Sequence, residues 1–418
     1  MHGVVGRFVG AEFAFLFILS MDAPGYAKQC CRTKYFKITG GVRMSIKRLV
    51  KAIMSIMPLF IVGSLLYVAL YIKPQPGLAV TNPYPIVKRD RFYGVASPTP
   101  TMVWAVGSHG KIVRSDNSGD SWVLQSAPES EHLQGIAAWD DKRAIVVGNA
   151  GLVMVTSDGG KSWRKIKTPL DEAVEKHGEA MSSTDTLSTG ETSLSTGEMS
   201  MGGGGAEQAA AEEAARKSAQ KLLKIAIVPD GNAWVVGEMG IVLHSKDFGA
   251  TWERSMKPED VAWNGIAVIG KKVFLVGEAG RMKRSEDGGG TWSDVKSPVK
   301  GSLIGVAFRD EANGVAVGLQ GVVMVTKDGG KSWAEAPKAT IEHLFDIIWD
   351  GTEWVAVGDK GVMIKGDSSG ADWKGKRITD LDTSWYTEVV KSGNRYYLSG
   401  ARLSVLEKGE LKFFDKKI

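Results

Sequence analysis

From residue 91 onward the chain is built of short apolar runs of four to six residues, rich in Val, Ile and Ala and separated by polar turn formers. In the stretch "LQGIAAWDDKRAIVVGNAGLVMVTSDGGKSWRKIKTP" the breaks are Asp-Asp, Gly-Asn-Ala-Gly and Asp-Gly-Gly. Glycine accepts a positive φ at such points, and Asp bonds its own backbone. No run is long enough, or spaced at 3.6 residues, to form a good helix. Four short strands in about 40 residues is the pattern of a propeller blade.

The pattern repeats. An octet closes on Trp122, Trp163, Trp252, Trp292, Trp333 and Trp373, at gaps of 41, 89, 40, 41 and 40 residues. The long gap is one period plus an insertion of about 48 residues. A Val-Gly pair keeps the same beat from Val106-Gly107 to Val357-Gly358, and Ser399-Gly400 marks a seventh copy, with Phe414 where the tryptophan would fall. The sequence therefore predicts an all-β fold, a seven-bladed β-propeller over residues 91–418, with one long insertion between blades 2 and 3. Seven blades in a ring leave only short, protected strand edges.

The octet, "TSDGGKSW" in its second copy, joins the third strand of each blade to the fourth. Its hydroxyl and carboxylate are suited to cap the turn, and its tryptophan to pack between blades. A group needed six times around a ring is structural, so Asp158, Trp163, Asp247, Trp252, Asp287, Trp292, Asp328 and Trp333 are assigned to the turn and not to chemistry. The octet resembles the Asp-box, or BNR repeat. The first copy carries Asn117 in place of Asp, and the sixth, "GDSSGADW", keeps little beyond Gly and Trp.

The front of the chain has a different character. Ala52 to Ile72 is a run of 21 residues without a charge, enough to cross a hydrocarbon core of about 30 Å. Lys47, Arg48 and Lys51 precede it and only Lys73 follows closely, which predicts a single-pass signal anchor over 44–72 in the inner (cytoplasmic) membrane, with the propeller on the periplasmic side. A cleaved signal peptide is the rival reading, although the run exceeds the 7 to 15 residues of a signal core. Residues 1–43 fit neither pattern, and Met44 makes a better start for an anchor. Pro74, Pro76, Pro83 and Pro85 make 73–90 an extended, semi-rigid linker. The insertion, 170–222, joins a polar low-complexity tract to the helix-forming "AEQAAAEEAARKSAQKLL" and reads as a spacer or flexible arm.

Strands alternate in direction, so turns between strands one and two, and between three and four, share a face with the octets. The Gly-x-x-Gly turns between strands two and three lie on the other face with the crossovers between blades, and the linker and insertion enter there.

A net charge of +5 is mild and gives no reason to expect nucleic acid. Cys30 and Cys31 both precede the repeats, so the propeller is compatible with an oxidising compartment. The four histidines of the blades stand one per repeat, without metal-ligand spacing, and the sequence implies no catalytic residue, metal or cofactor. What individual blades add to the repeat is charge. Lys111 and Arg281 follow the Gly-x-x-Gly turns, and Arg114, His244, Arg284 and Lys365 directly precede the octets. Together with Lys283 these are candidates for a basic patch that docks an anionic loop or a carboxylate, a task suited to arginine. A solvated charge set is the plainer reading of the same residues.

The repeat as a whole resembles the photosystem II stability and assembly factor-like family of BNR propellers. The resemblance implies a non-enzymatic lumenal or periplasmic scaffold that binds membrane-protein subunits during assembly, partly through an arginine patch onto which Arg114 and Arg284 map. The anchor and the long insertion depart from the photosynthetic members. Relatives in non-photosynthetic bacteria stand beside RND-type exporters, so the expected partner is an integral membrane protein or complex such as an RND-type exporter. The alternative is a glycan-binding or sialidase-like propeller. Against it, the Phe/Tyr-Arg-Ile-Pro motif of sialidases is missing, and Tyr93, Tyr386, Tyr396 and Tyr397 read as strand residues.

Overall fold

In the computed structural model the described residues are 35–37, 43–45, most of 51–67, 84–171 and 220–415. The chain divides into two units, Met1–Thr81 and Asn82–Ile418. In the first, Tyr35–Lys37 pairs antiparallel with Arg43–Ser45, a small strand pair that joins the unexplained residues 1–43 to the first residues of the expected anchor over 44–72. The described positions between Lys51 and Tyr67 are helical and exposed, among them Leu59, Phe60 and Val62. Among the described residues no helix is long and apolar enough to cross a membrane. The remainder of the expected anchor, most of the linker and residues 172–219 of the insertion lie outside the described residues.

The second unit is the seven-bladed propeller. Each blade is a four-stranded antiparallel sheet in simple sequential order. Blade 1 runs from Phe92–Ala96 through Val103–Gly107 and Ile112–Ser115 to Val123–Gln125, and blade 7 from Tyr386–Ser392 to Glu410–Phe413. The second strands of blades 1, 2, 3, 5 and 6 are buried along their whole length, as in Ala144–Gly148 and Trp354–Gly358, which is why they read as unbroken apolar runs. Core clusters lie between neighbouring blades, each drawing apolar side chains from two of them.

The two faces separate as the strand directions require. On the crossover face, the turn between the second and third strands of every blade, Gly-x-x-Gly in blades 1 to 6, folds back onto the residue preceding its own inner strand, as in Ser108 N to Arg91 O (2.9 Å), Asn149 N to His132 O (2.9 Å) and Asp359 N to His343 O (2.9 Å). His109 and Gly110 occupy consecutive left-handed conformations there (φ 57° and 66°), which explains the glycine. On the box face the octet closes on itself. Thr156 Oγ1 donates to Asp158 Oδ1 (2.8 Å) and accepts from Gly160 N (2.8 Å), while Ser162 N donates to Asp158 Oδ1 (3.0 Å). The same bonds recur around Asp247, Asp287 and Asp328, and Asn117 reproduces them in blade 1. Bonds from the Ser162 hydroxyl and amide and the Thr156 hydroxyl hold the Asp158 carboxyl down at about 2.

The box tryptophans act as wedges. Trp163 packs into the cluster between blades 1 and 2, Trp252 between 2 and 3, Trp333 between 4 and 5, and Trp373 between 5 and 6. Each thus fills the gap to the preceding blade, and burying so large a side chain contributes on the order of 2–3 kcal/mol. Blade 7 departs from the rule. A two-residue turn at Lys408 and Gly409, both with positive φ, replaces the octet. Phe414, expected to stand in for the tryptophan, instead lies against Trp122 and Tyr397 on the side of blade 1 (centroids 5.0 and 6.3 Å). Leu170 and Leu222, at the two ends of the expected insertion, are buried in the core between blades 2 and 3.

Candidate functional site

Every inner strand carries a bulge at its second residue, where pairing with the second strand slips by one. The third residues, equivalent around the axis, are Gly94, Gly135, Lys224, Gly265, Gly305, Asp346 and Glu388. At Gly94, Gly265 and Gly305 neighbouring inner strands approach closely: a Cβ on Gly265 would lie 2.5 Å from Ile304 O, and one on Gly94 2.9 Å from Gly135 Cα. Gly265→Ala is therefore expected to destabilise the protein by about 1–3 kcal/mol through overpacking. A denaturant titration in which this variant matches the parent midpoint would remove that explanation of the glycines.

The three blades that lack this glycine bring opposite charges together across the axis. Lys224 Nζ lies 3.1 Å from Glu388 Oε1 and 3.5 Å from Asp346 Oδ1, and donates to Thr387 O at 3.4 Å. Val95 N donates to Glu388 Oε2 (2.8 Å) and Val389 N to Asp346 Oδ2 (2.9 Å), so the triad ties blades 1, 3, 6 and 7. Burial pushes both carboxyls up from their usual range, the Asp346 charge adds to this at Glu388, and Lys224 pulls both back. Burial opposes the Lys224 charge in turn, but the two carboxylates outweigh it and hold the ammonium above its ordinary value. The triad thus links inner strands on opposite sides of the ring.

Outward of this tier, on the crossover face, the bulge residues and those before the inner strands supply aromatic rings. Tyr93 stacks on Trp385 (5.9 Å, 8° between planes) and meets His132 edge-on at 6.3 Å; His132 in turn lies 5.1 Å from His109. Four rings from blades 7, 1 and 2 thus form a continuous track. It leads from the axis to a pocket of about 470 Å³ lined by His109, Lys111, Leu124, Ala127, Pro128 and Glu129. Leu124 is 54% exposed. His132 Nδ1 is buried and has no hydrogen-bond partner, which leaves a polar atom beside the track unsatisfied by the fold. Rings with one wet edge beside a pocket of mixed lining, where Leu124, Ala127 and Pro128 stand among Lys111, Gln125 and Glu129, suit a peptide segment.

Residues 285–382, from the end of the third strand of blade 4 to the approach to blade 7, match the family of the Photosynthesis system II assembly factor YCF48. Among solved structures, YCF48 bound to a D1 peptide superposes with a TM-score of 0.55 at 14% identity, covering 79% of this chain and 94% of that one. Blades 4 to 6 thus carry repeats similar to those of this assembly factor family, and the solved structures share the propeller fold. YCF48 from Cyanidioschyzon merolae is similar in fold (TM-score 0.54, 14% identity, 78% and 95% covered). So is PorZ, a surface component of the type-IX secretion system of Porphyromonas gingivalis (0.52, 12% identity), of which the matched region spans 39%. No curated protein sequence matches the chain.

In the propeller the seven basic candidates are dispersed over blades 1, 3, 4 and 6, and most are engaged within the fold. Arg114 reaches across to the octet of blade 2, where its Nη1 donates to Gly159 O at 2.5 Å, while its guanidinium covers Trp104 and pairs with Asp116. Arg284 makes the same reach to Gly329 O (3.5 Å) and pairs with Glu286. At this position arginine therefore serves as a bridge between blades. Lys111 pairs with Asp90, Lys283 with Glu259 and Asp294, and Lys365 with Glu353. His244 stacks on Trp234 and bonds Asn232, and burial lowers its affinity for a proton. Arg281 is exposed. Neither the triad nor the track was assigned from the sequence, although the signal for the triad was there: Lys224, Asp346 and Glu388 replace glycine in one column of the repeat.

Proposed function

We propose that this chain is a non-enzymatic, membrane-anchored accessory or assembly factor whose periplasmic propeller docks a protein segment along the Trp385–Tyr93–His132–His109 track. The expected client is an integral membrane complex of the RND-exporter kind. The track is the observation that carries the reading, since four partly or fully exposed rings from three blades follow one another on the crossover face. The uncharged run from Ala52 to Ile72, preceded by Lys47, Arg48 and Lys51, supports an anchor that would keep the propeller at the membrane surface. A partner peptide in one propeller of this family, and a secretion system for another similar fold, agree with a protein client.

A sialidase-like reading has little to stand on. Tyr386 and Tyr397 are fully buried, with their hydroxyls on Asp382 and Ser118 O, and Tyr396 donates to Asp350. Burial, reinforced by these carboxylates, raises the hydroxyl pKa of Tyr386 and Tyr396, the opposite of what a phenolate nucleophile requires.

The test is capture of the tagged full-length protein from its native membrane in mild detergent, followed by mass spectrometry. A stoichiometric integral membrane protein is the expected companion. Recovery of the intact, anchored protein alone, together with retention on a glycan column, would overturn the scaffold reading.

A further inference from the structure

Six of the seven gaps between blades are filled by a box tryptophan, and the gap between blades 6 and 7 is not, because blade 7 replaces the octet with its Lys408-Gly409 turn. A cleft of about 740 Å³ opens at that place. Its floor is apolar, made by Met363, Ile378, Tyr396 and Leu406. In the pairing of Val362–Gly366 with the outer strand Trp373–Arg377, Met363 stands opposite Lys376 and Lys365 opposite Lys374, and cross-strand partners share one side of the sheet. Met363 packs with Tyr386 and Val389 of blade 7, so Lys374 and Lys376 also turn towards the cleft. Arg377 and, from the facing blade, Lys408 complete its rim.

The charge is unbalanced. Lys376, Arg377 and Lys408 have no ion-pair partner among the described residues, and Lys374 has only Asp372 at 3.9 Å, both of them exposed. Of the three acids in the cleft, Glu353 pairs with Lys365, Asp367 accepts from the Ala371 amide and the Ser369 hydroxyl, and Asp372 is the one beside Lys374, so the cations outnumber the acids by five to three. The outer strand of blade 6 has five residues where those of blades 1 to 5 have two or three, and no strand pairs its outer edge. A long free edge beside an apolar slot is what an added extended segment needs.

We propose that the cleft between blades 6 and 7 is a second docking groove, for an extended acidic segment of a partner protein. Its apolar side chains enter the space that a seventh wedge would fill, and its carboxylates pair with Lys374, Lys376, Arg377 and Lys408. The groove is distinct from the ring track and does not depend on it.

The test uses the full-length protein in detergent and a fluorescein-labelled peptide alternating Glu with Leu, followed by anisotropy. The peptide should bind saturably and more weakly at high salt, whereas its Lys-Leu counterpart should not bind. Lys374→Glu with Lys376→Glu should weaken binding by about tenfold or more. Leu406→Trp, which refills the slot, should do the same, while Tyr93→Ala should leave binding unchanged. Thermal melts show which variants are folded, and the surface charge pair decides the matter if the tryptophan variant is not. Equal affinity of the charge-reversed protein, or equal binding of the Lys-Leu peptide, overturns the proposal. So does lysine-dependent binding of phosphatidylglycerol vesicles without binding of the acidic peptide, which would make the groove a lipid site.

Discussion

Lys224→Met is expected to destabilise the propeller by about 3–5 kcal/mol, the cost of leaving buried charges without their partner. In a domain of this size that is a fall in melting temperature on the order of 10 °C. Lys224 is the one cation of the axial triad, and without it Asp346 and Glu388 face each other in a site that already pushes both carboxyls up. The deficit should depend on pH with a definite sign. A carboxyl whose pKa is raised in the folded state binds its proton more tightly folded than unfolded, so its ionisation penalty is present at neutral pH and fades as pH falls through the folded value. The gap between variant and parent should therefore narrow from pH 8 to pH 5. Adding Asp346→Asn and Glu388→Gln removes both charges and leaves oxygens to accept from Val389 N and Val95 N, so most of the loss should be recovered. A deficit that is the same at both pH values, with no recovery in the triple variant, would mean that the lysine acts by packing alone.

The architecture was readable because it rests on repeated local chemistry. Turn formers at a fixed period and second strands buried over most of their length recur from blade to blade, so blade number and the two faces follow from counting and strand direction. Function is written in the exceptions. The axial triad is a break in a glycine column, and the cleft is the loss of one octet, and either can be found by asking which blade fails to repeat. The ring track could not be found that way. Tyr93 and Trp385 are about 290 positions apart in the chain and meet because blades 7 and 1 close the ring; no local pattern announces their contact. Arg114 and Arg284 show the opposite failure. As charges they suggested a partner, but each spends its guanidinium on a carbonyl of the next blade, which only the placement of Gly159 and Gly329 reveals.

Trp385→Ala combined with Tyr93→Ala is expected to weaken client capture by roughly 2–4 kcal/mol, about 30- to 1,000-fold, while leaving the melt nearly unchanged. The reasoning is that half-buried rings stacked at 5.9 Å offer a partner a large rigid surface whose ordering cost has already been met. Trp385→Phe keeps a ring in the track and should lose far less, which separates stacking from a general loosening between blades 7 and 1. That control matters because Tyr93 also takes part in closure: its carbonyl accepts from Thr387 Oγ1 at 3.0 Å. This bond uses only backbone atoms of Tyr93 and survives truncation of the side chain. If the double variant captures the client at parental affinity, the track is a trim on the surface and docking must be sought elsewhere on the propeller. If capture falls while the acidic peptide still binds between blades 6 and 7, the two surfaces are independent, and one propeller can hold two segments of its client at once.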